Sequence, residues 1–84
     1  TSDHIFSYIE LDEQHAIIEV AVPEDWQGRS IGELDIRRKY GVNILGVKRE
    51  NKTDVNISPE TVLDADMTLL VLGENQKLKK HFRL

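Results

Sequence analysis

The stretch that decides the fold reads SIGELDIRRKYGVNILGV and occupies residues 30–47. Its first four residues match a capping box, in which the hydroxyl of Ser30 and the carboxylate of Glu33 satisfy free amides at the start of a helix. Gly41 stands where a left-handed residue would close that helix, and the basic residues before it suit the negative helix end. The sequence therefore predicts a helix over residues 31–40, followed directly by a strand.

The apolar residues of this helix do not form one stripe. At about 100° per residue, Leu34 and Ile36 lie about 200° apart, so a continuous helix cannot turn both toward the same core. We predict that one of them faces something else. Either Ile36 is an isolated surface isoleucine, which is common, or it lines a partner or ligand surface beside Asp35 and Arg37.

Residues 42–49 alternate in a way that predicts a strand covered on both faces. The two faces are Val42/Ile44/Gly46 and Asn43/Leu45/Val47. The other predicted elements are an arm or first strand at residues 4–11, a strand at 15–22, a polar turn at 50–52, a short strand at 54–57, a loop with a helical turn at 59–66, a buried strand at 67–72 and a helix at 74–82.

The composition narrows the class of protein. The chain has 84 residues, no cysteine and a formal net charge of −4. A chain of this size fits one small domain, and small domains often gain stability by pairing, so we expect a second copy as a partner. The lack of cysteine excludes disulfide scaffolds, and the acidic balance argues against binding a nucleic-acid polymer. No apolar run approaches the roughly 18 residues of a membrane span.

The sequence contains no pattern typical of catalysis or metal binding. His4, His15 and His81 fall in three different predicted elements, without the spacing of a metal site. No nucleophile is paired with a base, and the glycines do not form a phosphate-binding loop. Trp26 could stack on a base, but a single tryptophan before a helix more often packs at the edge of the core. We predict a protein that is not an enzyme and has no cofactor and no metal.

Several segments, in order, resemble the C-terminal RCK domain, also called TrkA-C. They are GRSIGEL at 28–34, YGVNILGVKR at 40–49, ISP at 57–59 and LDADMTLLVLG at 63–73. Together they cover most of residues 16–80. Ala65 departs from the family, which usually has glycine before the aspartate, and this change affects a turn. Within the family the chain is most similar to cytosolic gating subunits of Ktr-type potassium transporters from Gram-positive bacteria.

The resemblance implies a small α+β domain of βαβββα type, with a mainly antiparallel sheet, two helices and two-fold dimerisation. Residues 15–84 would form the ligand-binding RCK C-terminal domain. Residues 1–14 would be an arm or strand leading from a missing upstream domain. We expect the chain to be a piece of a longer protein, because it begins at Thr1 without methionine.

The resemblance also implies a regulatory ligand, cyclic di-AMP, bound in the dimer cleft to control potassium uptake. Carried over by position, its contacts are Ile31, Asp35, Ile36, Arg37, Asn43 and Ile44. Arg37 would face a phosphate, Asp35 would accept from the adenine amino group, and Asn43 would contact a base or phosphate. The three isoleucines would pack against the purine faces.

The partners that the resemblance implies are a second copy, an upstream ring of RCK N-terminal domains and a membrane subunit that translocates potassium. They would place the protein in the cytoplasm, at the inner face of the membrane. Two other functions remain open. The domain could be a structural dimerisation module of the RCK ring without a physiological ligand, or a sensor of divalent cations.

Overall fold

The computed structural model describes residues 5–83. The strands are β1 (Ile5–Glu10), β2 (His15–Ala21), β3 (Arg29–Ser30), β4 (Asn43–Arg49), β5 (Lys52–Asp54), β6 (Val62–Leu63) and β7 (Thr68–Glu74), and the helices are α1 (Ile31–Leu34), α2 (Ile36–Tyr40) and α3 (Asn75–Phe82). A single 3₁₀ turn, Glu24–Trp26, precedes β3.

Five strands form one antiparallel sheet in the order β1-β2-β7-β4-β5. The apolar β7 is central and pairs with β2 along its whole length, from His15 opposite Glu74 to Ala21 opposite Thr68. β3 and β6 form a separate two-stranded ribbon. The predicted α+β fold with a mainly antiparallel sheet is confirmed. β1 occupies part of the predicted arm, whereas His4 lies outside the described residues.

The core lies between one face of this sheet and the helices. Ile18 of β2 and Val71 of β7 contribute to one buried apolar cluster with Leu34 of α1 and Leu78 of α3. Trp26 is also buried there, which confirms that it packs on the core. The fold therefore has two layers, with the described helices on a single side of the sheet.

The Ser30 half of the predicted capping box and the predicted stop at Gly41 both form. The Ser30 hydroxyl accepts a hydrogen bond from the Glu33 amide at 3.1 Å, which satisfies one free donor. At the other end Gly41 adopts a left-handed conformation with φ 71°, and its amide donates to the Arg37 carbonyl at 3.1 Å. Local capping chemistry thus positions residues 30–41.

The prediction of one continuous helix is wrong, because the helix breaks at Asp35. This residue has φ 51° and ψ 50°, a left-handed conformation that aspartate tolerates better than most residues. The break separates α1 from α2 and resets the helical phase. Leu34 and Ile36 both reach the core and are 5% and 3% exposed. The inference that Ile36 points away from the core is therefore also wrong.

The predicted faces of β4 are wrong after Ile44, because the strand has a β-bulge at Leu45. Ile44 pairs with Val71, but Gly46 pairs with Leu70 and Val47 with Leu69. The extra residue inverts the alternation after Ile44, so that Val47 joins the core face and Gly46 the opposite face. Asn43 and Leu45 are exposed, so the prediction that β4 is covered on both faces is wrong as well.

The predicted turn after β4 forms through two consecutive residues with positive φ. Glu50 and Asn51 have φ of 51° and 63° and connect the paired residues Arg49 and Lys52. Positive φ at both central positions matches the right-handed twist of a tight hairpin. β5 therefore begins earlier than the sequence pattern predicts.

Two predictions after this hairpin are wrong. The strand predicted at residues 54–57 ends at Asp54, whose carboxylate accepts from the Asn56 amide at 2.9 Å and turns the chain. The loop predicted at residues 59–66 contains β6, which pairs with β3. Both changes bring the intervening segment against α1.

Candidate functional site

A groove of about 260 Å³ opens where α1, α2 and the start of β4 meet the loop after β5. The residues that line it are Ile31, Ile36, Arg37, Val42, Asn43, Ile44, Ile57, Ser58 and Pro59. Five of the six residues predicted to contact a ligand lie here together. The sixth, Asp35, does not line the groove.

Backbone hydrogen bonds hold the loop wall against α1. The Ile31 amide donates to the Thr61 carbonyl at 2.9 Å, and the Gly32 amide donates to the Pro59 carbonyl at 2.8 Å. A Cβ atom on Gly32 would lie 3.0 Å from both the Cβ and the carbonyl oxygen of Pro59. A glycine at this position therefore permits the close approach that closes one side of the groove.

Sequence reasoning did not assign four lining residues to the site, namely Val42, Ile57, Ser58 and Pro59. The last three belong to the segment that carries the family resemblance, but that segment lies far from the helix in sequence. Gly32 is the one feature of the sequence that could indicate this contact, because a glycine inside a helix pattern often marks the close approach of another backbone segment.

The floor of the groove is apolar and continuous with the core. Ile36 and Val42 are buried, while Ile31, Ile44 and Ile57 are half-buried and pack against the core cluster. Close packing holds such side chains in defined positions. The floor thus offers a firm apolar surface that suits the face of an aromatic ring.

The rim of the groove carries Arg37 and Asn43, both exposed. Arg37 takes part in none of the ion pairs formed among residues 5–83. None of the nine lining residues is acidic. The groove therefore presents a guanidinium group without a counter-charge, and such a group binds phosphate or carboxylate through charge-assisted hydrogen bonds.

Asp35 is engaged elsewhere. Its carboxylate pairs with the Nε atom of Arg38 on the next turn, and their side chains are 42% and 74% exposed. An exposed pair of this kind contributes about 0–1 kcal/mol to stability. Arg38 therefore points its charge at Asp35, while the neighbouring Arg37 lies at the groove.

An aromatic cluster supports the rear of α2. The Tyr40 ring lies 4.9 Å from the Trp26 ring and 4.9 Å from the His81 ring, with edge-to-face geometry to His81. Partial burial lowers the pKa of His81, and the positive charges of Lys80 and Lys77 lower it further. The neutral imidazole is thus the form that packs beside α2.

Other features of the described residues do not add to the site. A larger cavity of about 890 Å³, lined in part by Glu24, Asp25 and Arg83, shares no residue with the groove. Across residues 5–83, no three acidic or histidine side chains are grouped so that they could hold a metal ion. No helix in this part of the chain is long and apolar enough to cross a membrane.

Comparison with known proteins confirms the family resemblance. Residues 16–84 match the TrkA-C domain. The chain is 33% identical over 72 residues to the Ktr system potassium uptake protein C of Bacillus subtilis (strain 168), covering 86% of this chain and 33% of that protein. It is 25% identical over 80 residues to Ktr system potassium uptake protein A of the same strain, covering 95% of this chain and 36% of that protein. The chain thus spans about one third of the length of these curated relatives.

Solved structures show the same fold. One is the RCK C domain of the potassium transport protein KtrA in complex with cyclic diadenosine monophosphate. It has a TM-score of 0.74 and 32% sequence identity to this chain, and the match covers 82% of this chain and 81% of that one. Another is the GsuK RCK domain, with a TM-score of 0.79 and 27% identity over 100% of this chain and 19% of that one. The family match begins at Ala16, so β1 lies before it.

Proposed function

Because the chain belongs to the TrkA-C domain family, we propose that it is a regulatory domain of a potassium-transport protein and binds cyclic di-AMP. The groove is half of the binding site, and a second copy supplies the other half. The observation that carries this proposal is the convergence of Arg37, Asn43 and an isoleucine floor in one groove whose lining contains no acidic residue.

The chemistry of the groove suits this ligand. Arg37 donates to a phosphate, since its guanidinium has no ion-pair partner among residues 5–83. Ile31, Ile36 and Ile44 pack against the face of an adenine ring. Asn43 can both donate and accept, so it serves a base edge or a phosphate oxygen.

The size of the groove supports a half-site. Pockets that enclose drug-sized ligands measure about 300–1,000 Å³, and the groove has about 260 Å³. A dinucleotide with two adenines and two phosphates needs more room than one groove provides. A two-fold ligand can meet one groove from each protomer of a two-fold dimer.

In this proposal the Asp35 carboxylate contacts the adenine amino group. In the structure its carboxylate pairs with Arg38, and it must leave that ion pair to make the contact. Because that pair is exposed and weak, replacing it with a hydrogen bond from the ligand costs little. Asp35 therefore contributes less to affinity than Arg37.

The proposal extends to the longer protein of which this domain is a part. That protein carries an upstream RCK N-terminal ring, acts from the cytoplasm at the inner face of the membrane and regulates a potassium-translocating subunit without catalysing a reaction. The support is the similarity to Ktr system potassium uptake proteins about three times as long as this chain.

Calorimetry with cyclic di-AMP tests the binding proposal. Arg37→Ala removes two charge-assisted contacts per nucleotide, one from each protomer, each worth about 1.5–3 kcal/mol, so the affinity should fall by at least roughly 100-fold. Arg38→Ala is the matched control, because it removes the same charge one residue away and outside the groove. We expect one nucleotide per two protomers and near-normal binding by Arg38→Ala.

Two results would contradict the proposal. Wild-type chain that binds no cyclic di-AMP at tens of micromolar would favour a structural dimerisation module without a ligand. Equal losses for Arg37→Ala and Arg38→Ala would show that general positive charge, rather than the groove, attracts the nucleotide.

A further inference from the structure

The solvent-facing side of α3 is basic. Leu78 and Phe82 are buried and fix the side of the helix that packs on the sheet. At about 100° per residue, Lys80 lies on the opposite side, with Lys77 and Lys79 on its two flanks. All three lysines are exposed, and α3 contains no acidic residue. The outward side of α3, defined by these three lysines and called here the basic ridge, therefore carries charge of one sign.

The neighbouring helix α2 continues this positive surface. The Lys77 side chain packs beside the end of α2, since a Cβ atom on Gly41 would lie 3.4 Å from the Lys77 Cε atom. The Tyr40 and His81 rings are 4.9 Å apart, so the two helices meet at a second point. Lys39, next to Tyr40, is exposed. Positive charge therefore extends across the helix layer from α3 to α2.

None of these four lysines forms an ion pair with another of residues 5–83. Basic side chains elsewhere on the domain do have carboxylate partners. Arg49, for example, lies 2.8 Å from an oxygen of Asp64 and 3.2 Å from an oxygen of Asp66. The lysines of the helix layer are thus exposed charges that an external anion can approach.

The acidic balance of the whole chain does not cancel this surface. The formal net charge is −4, yet α2 and α3 together hold six of the eleven lysine and arginine residues and no acidic residue. The nearest carboxylates along the chain are Asp35, which pairs with Arg38, and Glu74, which precedes the first turn of α3. The domain measures 32 × 28 × 23 Å, whereas physiological salt screens charges beyond about 8 Å. A negative surface that contacts the helix layer is therefore screened from carboxylates on the far side of the sheet.

We propose that the basic ridge docks against anionic lipid headgroups at the inner face of the membrane. This inference rests on the proposed function, which brings the longer protein to that face, and adds a direct contact between this domain and lipid. The cytoplasmic leaflet has a negative surface potential that attracts clustered lysine and arginine. Duplex DNA is another polyanion, but the position at the membrane favours lipid.

The composition of the ridge suits a headgroup layer. The lysine ammonium group is a hydrated point charge on a flexible stem, so it needs no fixed geometry in its anionic partner. None of the large apolar side chains exposed among residues 5–83 lies on α2 or α3. The contact is therefore electrostatic and reversible, without insertion into the hydrocarbon layer.

Co-sedimentation of the nucleotide-free chain with vesicles tests this contact. Phosphatidylglycerol mixed with phosphatidylcholine supplies a negative surface, and pure phosphatidylcholine is the neutral control. We expect binding to the mixed vesicles alone. Raising the salt from about 0.1 M to about 0.5 M should abolish it, because the screening length falls by about half.

Two double substitutions with the same change in net charge separate the ridge from the charge of the whole chain. Lys79→Gln combined with Lys80→Gln removes two charges of the ridge. Arg29→Gln combined with Lys52→Gln removes two exposed charges on β3 and β5. One lysine or arginine near an anionic surface strengthens binding by about fivefold. The first pair should therefore weaken vesicle binding by roughly 25-fold, and the second by less than about threefold.

Several results would overturn the proposal. They are a wild-type chain that does not bind the mixed vesicles, equal binding to pure phosphatidylcholine, and tighter binding to duplex DNA than to the mixed vesicles at the same salt. Equal weakening by both double substitutions, or none by either, would also exclude the ridge as the contact. Circular dichroism checks that both variants fold. Lys79 and Lys80 do not line the groove, so calorimetry with cyclic di-AMP should be unchanged by their substitution, and a failure of lipid binding is distinct from a failure of the nucleotide site.

Discussion

Replacing Ile36 by alanine tests the break in the helix and the construction of the groove floor. In a continuous helix Leu34 and Ile36 would point in nearly opposite directions, so one of the two replacements would be almost neutral. In the structure both side chains are buried, at 5% and 3% exposure, on either side of the left-handed Asp35. Both replacements should therefore be strongly destabilising.

The magnitude follows from burial. Truncating a buried leucine or isoleucine to alanine costs about 2–5 kcal/mol, because it loses apolar contact and leaves a cavity. An exposed position usually changes the free energy of unfolding by less than about 0.5 kcal/mol. In a domain of this size 1 kcal/mol shifts the Tm by about 4–8 °C, so a loss of about 3 kcal/mol predicts a fall of roughly 12–24 °C.

Urea and thermal unfolding at one fixed protomer concentration measure the effect, since dimerisation raises apparent stability with concentration. Arg38→Ala is the surface control on the same helix and should change the free energy of unfolding by less than about 1 kcal/mol, the value of its pair with Asp35. A large loss for Leu34→Ala together with a loss below about 1 kcal/mol for Ile36→Ala would refute the broken helix.

Three further predictions concern the groove wall, the aromatic cluster and the hairpin. Gly32→Ala should lower stability by about 1 kcal/mol and weaken nucleotide binding, since its Cβ would lie 3.0 Å from Pro59; unchanged calorimetry would contradict this. The lowered pKa of His81 means that the unfolded chain binds a proton that the folded chain resists, so stability should fall below about pH 6.5. His81→Phe should reduce that fall in thermal unfolding at a series of pH values, and an identical pH profile would argue against it. Glu50→Asn should raise the Tm by a few degrees, because asparagine tolerates the positive φ of 51° better than glutamate; a lower Tm would count against the turn geometry.

Local chemistry explains which parts of the fold could be predicted from the sequence. The Ser30 cap and the Gly41 stop are encoded within a few residues, and both form as expected. The break at Asp35 has no comparable signal, because a non-glycine residue adopts the left-handed conformation there. Its stabilisation comes from burying Leu34 and Ile36 together, which is a tertiary effect that overrides helical periodicity.

The same distinction applies to β4. Period-two alternation predicts the strand, but the bulge at Leu45 depends on its pairing with β7 and shifts Val47 onto the core face. The short strand β6 was missed for a related reason, since Val62 and Leu63 gain their partners from β3 across the chain. Strand register and the pairing of β3 with β6 each depend on two segments that are distant in sequence. The pattern of one segment therefore cannot predict them.

For the candidate site, the family resemblance selected five lining residues, whereas the reasoning that picked out Ile36 was wrong. The periodicity of a continuous helix predicts that Ile36 faces away from the core, yet Ile36 is 3% exposed and belongs to the core cluster. It also lines the groove, because the groove floor is the outer surface of that cluster. Pro59 belongs to the ISP motif, but its place in the groove depends on the close approach to Gly32, which the motif does not show.

The break at Asp35 links stability to recognition. With Ile36 directed into the core, the next residue, Arg37, is carried to the rim of the groove, where it is exposed. One backbone feature therefore determines both the floor and the rim of the groove. Substitutions at Ile36 and at Arg37 should nevertheless differ in their effects on stability and on nucleotide affinity. Truncating Ile36 must reduce both stability and affinity, whereas truncating Arg37 removes affinity with little cost to folding, because surface substitutions usually cost less than about 0.5 kcal/mol. Nucleotide binding that survives in Arg37→Ala while it is lost in a folded Ile36→Ala variant would show that the apolar floor, and not the cation, dominates recognition.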